Sequence, residues 1–185
     1  IACTMSPRAP ATDPIVVTAA EVVSPIGSDA ARFATALGEG TVGIATEPAG
    51  APLRCAARIG DFGARQLIAA GSLRRMPRAT QLLLVATRRL LDAGGGLPCA
   101  DDRVGLVVGT GLGTLEESIA FQRGYLEKGP EAASPLLFPV SVMNAPAGQI
   151  AVECGLRGVN STVNHREGSP LGALLFGADL LRFGR

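Results

Sequence analysis

The chain has 185 residues, 47% of them hydrophobic and 18% charged, with a formal net charge of +1. That length can bury a substantial core, and the balance is globular, not disordered. The near-neutral charge, the absence of Trp and the single Tyr offer nucleic acid neither a basic field nor an aromatic platform.

Cys3, Cys55, Cys99 and Cys154 are scattered without a CxxC pair, and His165 is the only histidine. This set predicts no metal site and no cofactor. Lone cysteines without a signal peptide suit a reducing cytoplasm. No stretch reaches the length of a membrane span. The first 14 residues, with three prolines, read as a tail or expression scar, with Met5 as a natural start. Residues 15–185 read as one half-domain.

Ile15–Val17 and Val22–Val23 flank a polar break and predict a strand, ended by Pro25 and Gly27. Ser28 or Asp29 then caps a helix to about Leu37. Leu53–Ile59 alternates weakly, as a strand or hairpin arm. Ala79–Ala93 is the clearest helix, with Ala79, Leu82, Leu83, Ala86, Leu90 and Ala93 on one face and Gln81, Arg88 and Asp92 opposite. Gly94-Gly95-Gly96 stops it. Val104–Val108 is a continuous apolar run, which suits a strand covered on both faces. Helices are predicted over Thr114–Leu126, with Glu116 and Glu117 near the positive end, and over Val142–Cys154 despite Pro146. A strand runs through Gly158–Asn164, and a helix through Gly168–Phe183.

Alternating strands and helices predict an α/β fold with a mostly parallel sheet and flanking helices. In the last helix, Leu171, Ala173, Leu174, Leu175, Phe176, Ala178, Leu180 and Leu181 cover almost every side. Such a helix is normally buried all round, which points to a partner chain or a missing half as its cover.

Six segments, in order, resemble the β-ketoacyl synthases of the thiolase superfamily. Val16-Val17-Thr18 with Val23-Ser24-Pro25-Ile26-Gly27 is similar to the family's first strand and turn. Met76-Pro77-Arg78-Ala79-Thr80-Gln81 resembles its Met-Asp-Arg-x-x-Gln helix start. Gly109-Thr110-Gly111-Leu112-Gly113 resembles its Gly-rich turn. Ser134-Pro135, and Pro139 through Asn144 with Ala147 and Gly148, resemble the approach to the active site. Gly155-Leu156-Arg157-Gly158-Val159-Asn160-Ser161-Thr162-Val163 is similar to its Gly-Leu-x-Gly-Pro-Asn-x-x-Val strand. The resemblance implies the N-terminal half of a thiolase-like fold. A phosphate-cradling role for the Gly-rich turn fits poorly: its third glycine is one position early for a dinucleotide fingerprint, and no P-loop lysine follows.

In the family this strand leads into a Thr-Ala-Cys-x-Ser/Thr-Gly elbow. An ungapped continuation here gives Asn164-His165-Arg166-Glu167-Gly168-Ser169-Pro170, which sets Glu167 on the nucleophile position. A carboxylate is a weak acyl acceptor, and the resemblance places the catalytic histidines and lysine in a C-terminal half outside this chain. No catalytic residue is therefore expected. His165 reads as a structural or hydrogen-bonding group beside Arg166 and Glu167, its alternative being a base. Chain-length factors, the partners of polyketide ketosynthases, carry Gln at this position, nearly isosteric with Glu.

The resemblance implies a heterodimer with a full-length ketosynthase through Asn160, Ser161, Thr162, Val163 and Asn164, with Leu112 lining an acyl pocket. Leu137 and Phe138 would reach the partner's acyl tunnel or form ordinary interface core. Arg74 and Arg75 would dock an acyl carrier protein, with Arg78, Arg88 and Arg89 adding charge; a solvated basic face is the alternative. The expected function is a noncatalytic, chain-length-factor-like subunit in polyketide or fatty-acid-like synthesis. A split half of an acyltransferase or decarboxylase, and a homodimeric acyl-binding scaffold, are its rivals.

Overall fold

The computed structural model describes residues 14–97 and 99–184. Two units emerge: Thr18–Gly96, and Leu97 onward together with the described residues up to Val17. The tail and Met5 lie outside the described residues, apart from Pro14.

In the Thr18–Gly96 unit, α1 spans Ala30–Gly38, with Asp29 as its N-cap. The Asp29 carboxylate accepts the Arg32 N–H at 2.8 Å, satisfying one of the helix's free donors. Strands β1 (Ile44–Thr46) and β2 (Cys55–Ala57) form an antiparallel hairpin with Ile44 opposite Ala57. Beside it, Arg58 donates to Glu47 at 2.7 Å. This hydrogen bond, with the guanidinium's charge, holds the Glu47 carboxyl below the usual Glu range. Two one-turn helices follow, α2 (Ala64–Leu67) and α3 (Ala70–Leu73), and then α4 (Arg78–Ala93).

The expected strand over Ile15–Val23 is not formed. Only an isolated bridge joins Ser24 to Gly27. A strand needs a hydrogen-bonded neighbour, and none pairs with this stretch among the described residues; Val17 is 83% exposed.

The buried face of α4 also differs from the expectation. Thr80, Leu84 and Val85 are its buried residues, and Ala79 and Ala93 are exposed. Two polar residues assigned to the outer face bond to backbone carbonyls: Gln81 donates to those of Leu73 and Met76, and Arg88 to that of Leu67. Arg89 donates to the Ser28 and Phe62 carbonyls. Arg78 donates to the Ile59 carbonyl and lies over the Phe62 ring. These side chains are the donors that a helix-poor segment needs.

In the other unit, β3 spans Leu106–Gly109, α5 Leu115–Lys128, α6 Phe138–Ser141, α7 Ala145–Cys154, β4 Asn160–Val163 and α8 Ser169–Arg182. Strands β3 and β4 pair in parallel, Leu106 with Asn160 through Gly109 with Val163. Both α7 and α8 pack on this pair, and Val108 of the apolar run is buried. Ala147 and Ile150 of α7 are fully buried. Helix α8 leaves Leu171, Leu174, Leu175 and Leu181 exposed, in keeping with an all-round apolar sequence that these residues alone do not cover. Among the described residues no helix is long and apolar enough to cross a membrane.

Candidate functional site

Parallel strands end side by side, and β3 and β4 bring two turns together at their carboxyl ends. In open α/β sheets such a crevice is where ligands bind. The Thr110 N–H donates to the Val163 carbonyl at 3.0 Å, extending the ladder one residue beyond β3. The first turn, Thr110–Gly113, is closed by the Gly113 N–H on Thr110 Oγ1 at 2.9 Å. The second, Asn164–Gly168, contains a 3-10 turn over Arg166–Gly168. Arg166, with φ of 52°, is the one non-glycine in the left-handed region among the described residues. Strain of this kind costs on the order of 1–3 kcal/mol and persists only where surrounding bonds impose it.

Ser169 imposes it. Its hydroxyl is fully buried, accepts the His165 N–H at 2.9 Å, and lies 2.8 Å from the Thr110 carbonyl and 2.5 Å from that of Arg166. One side chain thus joins the end of β3, the turn after β4 and the start of α8. Gly109 makes the join possible: a Cβ there would stand 2.5 Å from the Ser169 carbonyl oxygen. The sequence matched Ser169 only as a small hydroxyl residue; its place directly after Gly168, at the start of an apolar helix, was the signal for a pinning role.

Glu167 is exposed in the second turn, next to the positive end of α8, and joins no ion pair among the described residues. His165 is exposed beside it, and Leu112 is 75% exposed in the first turn. Neither turn contains a cysteine, so neither offers a thiolate for a thioester.

Leu137 is half-buried, whereas Phe138 is 57% exposed. The Phe138 ring tilts against Phe121 with centroids 5.7 Å apart. Thr114 and Ser118 hydroxyls both donate to the Ser141 carbonyl, at 2.6 and 2.8 Å. Helix α6 is therefore fastened to α5 by three contacts, which the sequence analysis did not anticipate.

The outer edge of β4 is open. Val159 and Val163 carbonyls accept from β3-side N–H groups, so by strand alternation Ser161 and Val163 face β3. The backbone groups of Asn160, Thr162 and Asn164 face away, with no partner among the described residues. Arg74 and Arg75, in the other unit, are exposed. Arg78, Arg88 and Arg89 also donate to backbone carbonyls of their own unit.

Parallel strands leading into a Gly-rich turn and a pinned strand-to-helix elbow define a ketosynthase-type half-domain. The family "Beta-ketoacyl synthase, N-terminal domain" matches residues 12–185, and the chain belongs to it. It is 30% identical over 157 residues to a 3-oxoacyl-[acyl-carrier-protein] synthase 2 of Vibrio harveyi, covering 81% of this chain and 38% of that protein. A protein of the same name from Staphylococcus aureus is also 30% identical, with 79% and 37% covered. The chain thus spans less than half the length of these relatives. Among solved structures it resembles the ishigamide ketosynthase/chain length factor, with a TM-score of 0.74 and 29% identity over 87% of this chain and 47% of that one. A β-ketoacyl synthase from Burkholderia phymatum shares the fold, with a TM-score of 0.68, 18% identity, and 90% and 43% covered.

Proposed function

We propose that this chain is a noncatalytic, chain-length-factor-like subunit. It pairs with a full-length, cysteine-bearing ketosynthase in polyketide or fatty-acid-like chain synthesis. What supports this reading is Glu167, which an ungapped continuation from Gly158 sets on the position where an active ketosynthase carries its nucleophile, in a turn that contains no cysteine. A carboxylate there would form at most a mixed anhydride, which hydrolyses. The likeness to a ketosynthase/chain length factor supports the pairing. The open edge of β4 gives it a physical basis, because its outward N–H and C=O groups need a neighbouring strand.

In this assembly Asn160–Asn164 forms the seam. Leu112 lines an acyl pocket, Leu137 or Phe138 approaches the partner's tunnel, and Arg74 and Arg75 meet an acidic acyl carrier protein.

The test is co-expression with the ketosynthase of the same organism, followed by mass measurement. Thr162→Pro is the discriminating change. The Thr162 N–H faces away from β3, so proline spares the chain's own ladder but removes a seam donor and crowds an incoming strand. The expected result is a one-to-one complex that condenses acyl groups, lost in Thr162→Pro while the lone chain stays folded. A complex unaffected by Thr162→Pro would overturn the seam.

The relatives named as synthases favour a second reading, a split acyltransferase or decarboxylase whose other half supplies catalytic histidines. Turnover that depends on Glu167, abolished by Glu167→Ala, would establish that reading and sink the first.

A further inference from the structure

We infer that Gln81 is a positioning residue for carrier docking: its amide fixes the turn that presents Arg74 and Arg75. This rests on the docking role proposed above for those two arginines, and not on the pairing with a ketosynthase.

Arg74 and Arg75 lie between the one-turn helix α3 and the long helix α4. Both are exposed, and neither joins an ion pair among the described residues. A single helical turn does not hold itself together, since isolated helices shorter than about 12–15 residues are marginal in water. Beyond α3 the backbone continues in helical fashion, with the Arg74 N–H on the Ala70 carbonyl at 3.4 Å and the Met76 N–H on the Ser72 carbonyl at 3.0 Å. The next carbonyl in this series is that of Leu73, and its donor would be the N–H of residue 77. That residue is Pro77, which has none. Pro77 is also the N-cap of α4 and gives it no side-chain bond, at a place where the motif it resembles has an aspartate. The turn therefore lacks a donor and a cap where it carries its two charges.

Gln81, in the first turn of α4, supplies the donor. Its Nε2 bonds the Leu73 carbonyl at 3.1 Å and the Met76 carbonyl at 2.9 Å, so the carbonyls on either side of Arg74 and Arg75 converge on one nitrogen. A side-chain amide has two N–H donors, one for each. The Gln81 backbone is itself anchored, its N–H donating to the Pro77 carbonyl at 3.0 Å. Charges on a fixed turn meet an acidic surface in one arrangement. On a loose turn they must first be ordered, and that cost comes out of the affinity.

The experiment measures the dissociation constant of the full chain, without the ketosynthase, for the acyl carrier protein of the same organism. Fluorescence anisotropy of labelled carrier protein is read at low ionic strength, where charge contacts are least screened. The variants are Gln81→Met, which keeps the length and loses both donors, the pair Arg74→Ala with Arg75→Ala, and all three changes together. Losing both arginines is expected to weaken docking about tenfold, as for two exposed charge contacts. Gln81→Met is expected to weaken it at least about threefold while the arginines are present, and less than about 1.5-fold once they are gone. Melting curves by circular dichroism check each fold; should Gln81→Met unfold the chain, Gln81→Asn, the same amide one carbon shorter, takes its place. Docking that needs the arginines but falls less than threefold with the Gln81 change overturns the positioning role and leaves the docking surface standing. An equal loss from the Gln81 change with and without the arginines overturns it too, because Gln81 would then not act through them. A wild-type chain that does not bind the carrier protein, or binds it regardless of both arginines, removes the docking reading and this inference together.

Discussion

Ser169→Ala isolates the bond that shapes the elbow. The change removes one buried oxygen and little volume, so its cost is almost purely that of hydrogen bonding. Two bonds disappear: the one accepted from the His165 N–H at 2.9 Å, and the one donated to the carbonyl of Thr110 or Arg166 at 2.8 or 2.5 Å. At about 1 kcal/mol each the direct loss is about 2 kcal/mol. An orphaned donor or acceptor adds about 1–3 kcal/mol where water cannot reach it. His165 is exposed, so relief by water keeps that addition near the lower end. Alanine's better helix propensity at the first position of α8 returns about 0.5 kcal/mol. The net expectation is a destabilisation of about 2–3 kcal/mol, or roughly 4–12 °C in melting temperature for a chain of this size. The chain has no Trp, so urea unfolding is followed by far-ultraviolet circular dichroism. Amide exchange at His165 gives the local readout and is expected to accelerate. A loss below about 0.5 kcal/mol, or an unchanged His165 exchange rate, would refute the pinning role of the hydroxyl.

The Glu47–Arg58 pair should show in titration. Its carboxyl is held low, so the pair's small stabilising effect is present above the pKa of an unfolded Glu and fades as pH falls through the lower folded value. Nuclear magnetic resonance titration should find Glu47 ionising below an ordinary Glu, and Arg58→Gln should return it toward the ordinary value; no change would remove the pair. For the proposed tunnel role, small and large residues at Leu137 and Phe138 should shift product length more than rate in the co-expressed complex. A product spectrum indifferent to size at both positions would discard that role and leave the pairing intact.

Much of the fold was legible because its elements carry local signals. Asp29 announces α1, the glycine run ends α4, and the apolar run before Gly109 and the stretch through Ser161-Thr162-Val163 mark the parallel pair. The first strand was misread because Val16, Val17, Val22 and Val23 have the right propensity, while a strand depends on a neighbour that propensity does not encode. The facing of α4 was misread for a related reason. Arg88 and Arg89 count as solvent-facing by composition, yet carbonyls distant in sequence hold them half-buried. At the elbow, the turn that holds Glu167 follows the strand, as its distance from Gly158 implies. The geometry that Ser169 imposes could not be read in this way, since it comes from three segments meeting at one oxygen.

Arg78, Arg88 and Arg89 also order the assembly of the Thr18–Gly96 unit. The segment from Ile59 to Leu67 has its carbonyls at residues 59, 62 and 67 satisfied by side chains of a single helix. Arg78 and Arg89 are about 16 Å apart along that helix, and only a formed α4 presents them at that spacing. The segment cannot acquire its shape ahead of the helix, and it should lose that shape whenever the helix frays. Its persistence in time is borrowed from α4, so proteolytic nicking between Ile59 and Leu67 would report the opening of a helix that begins eleven residues further along the chain.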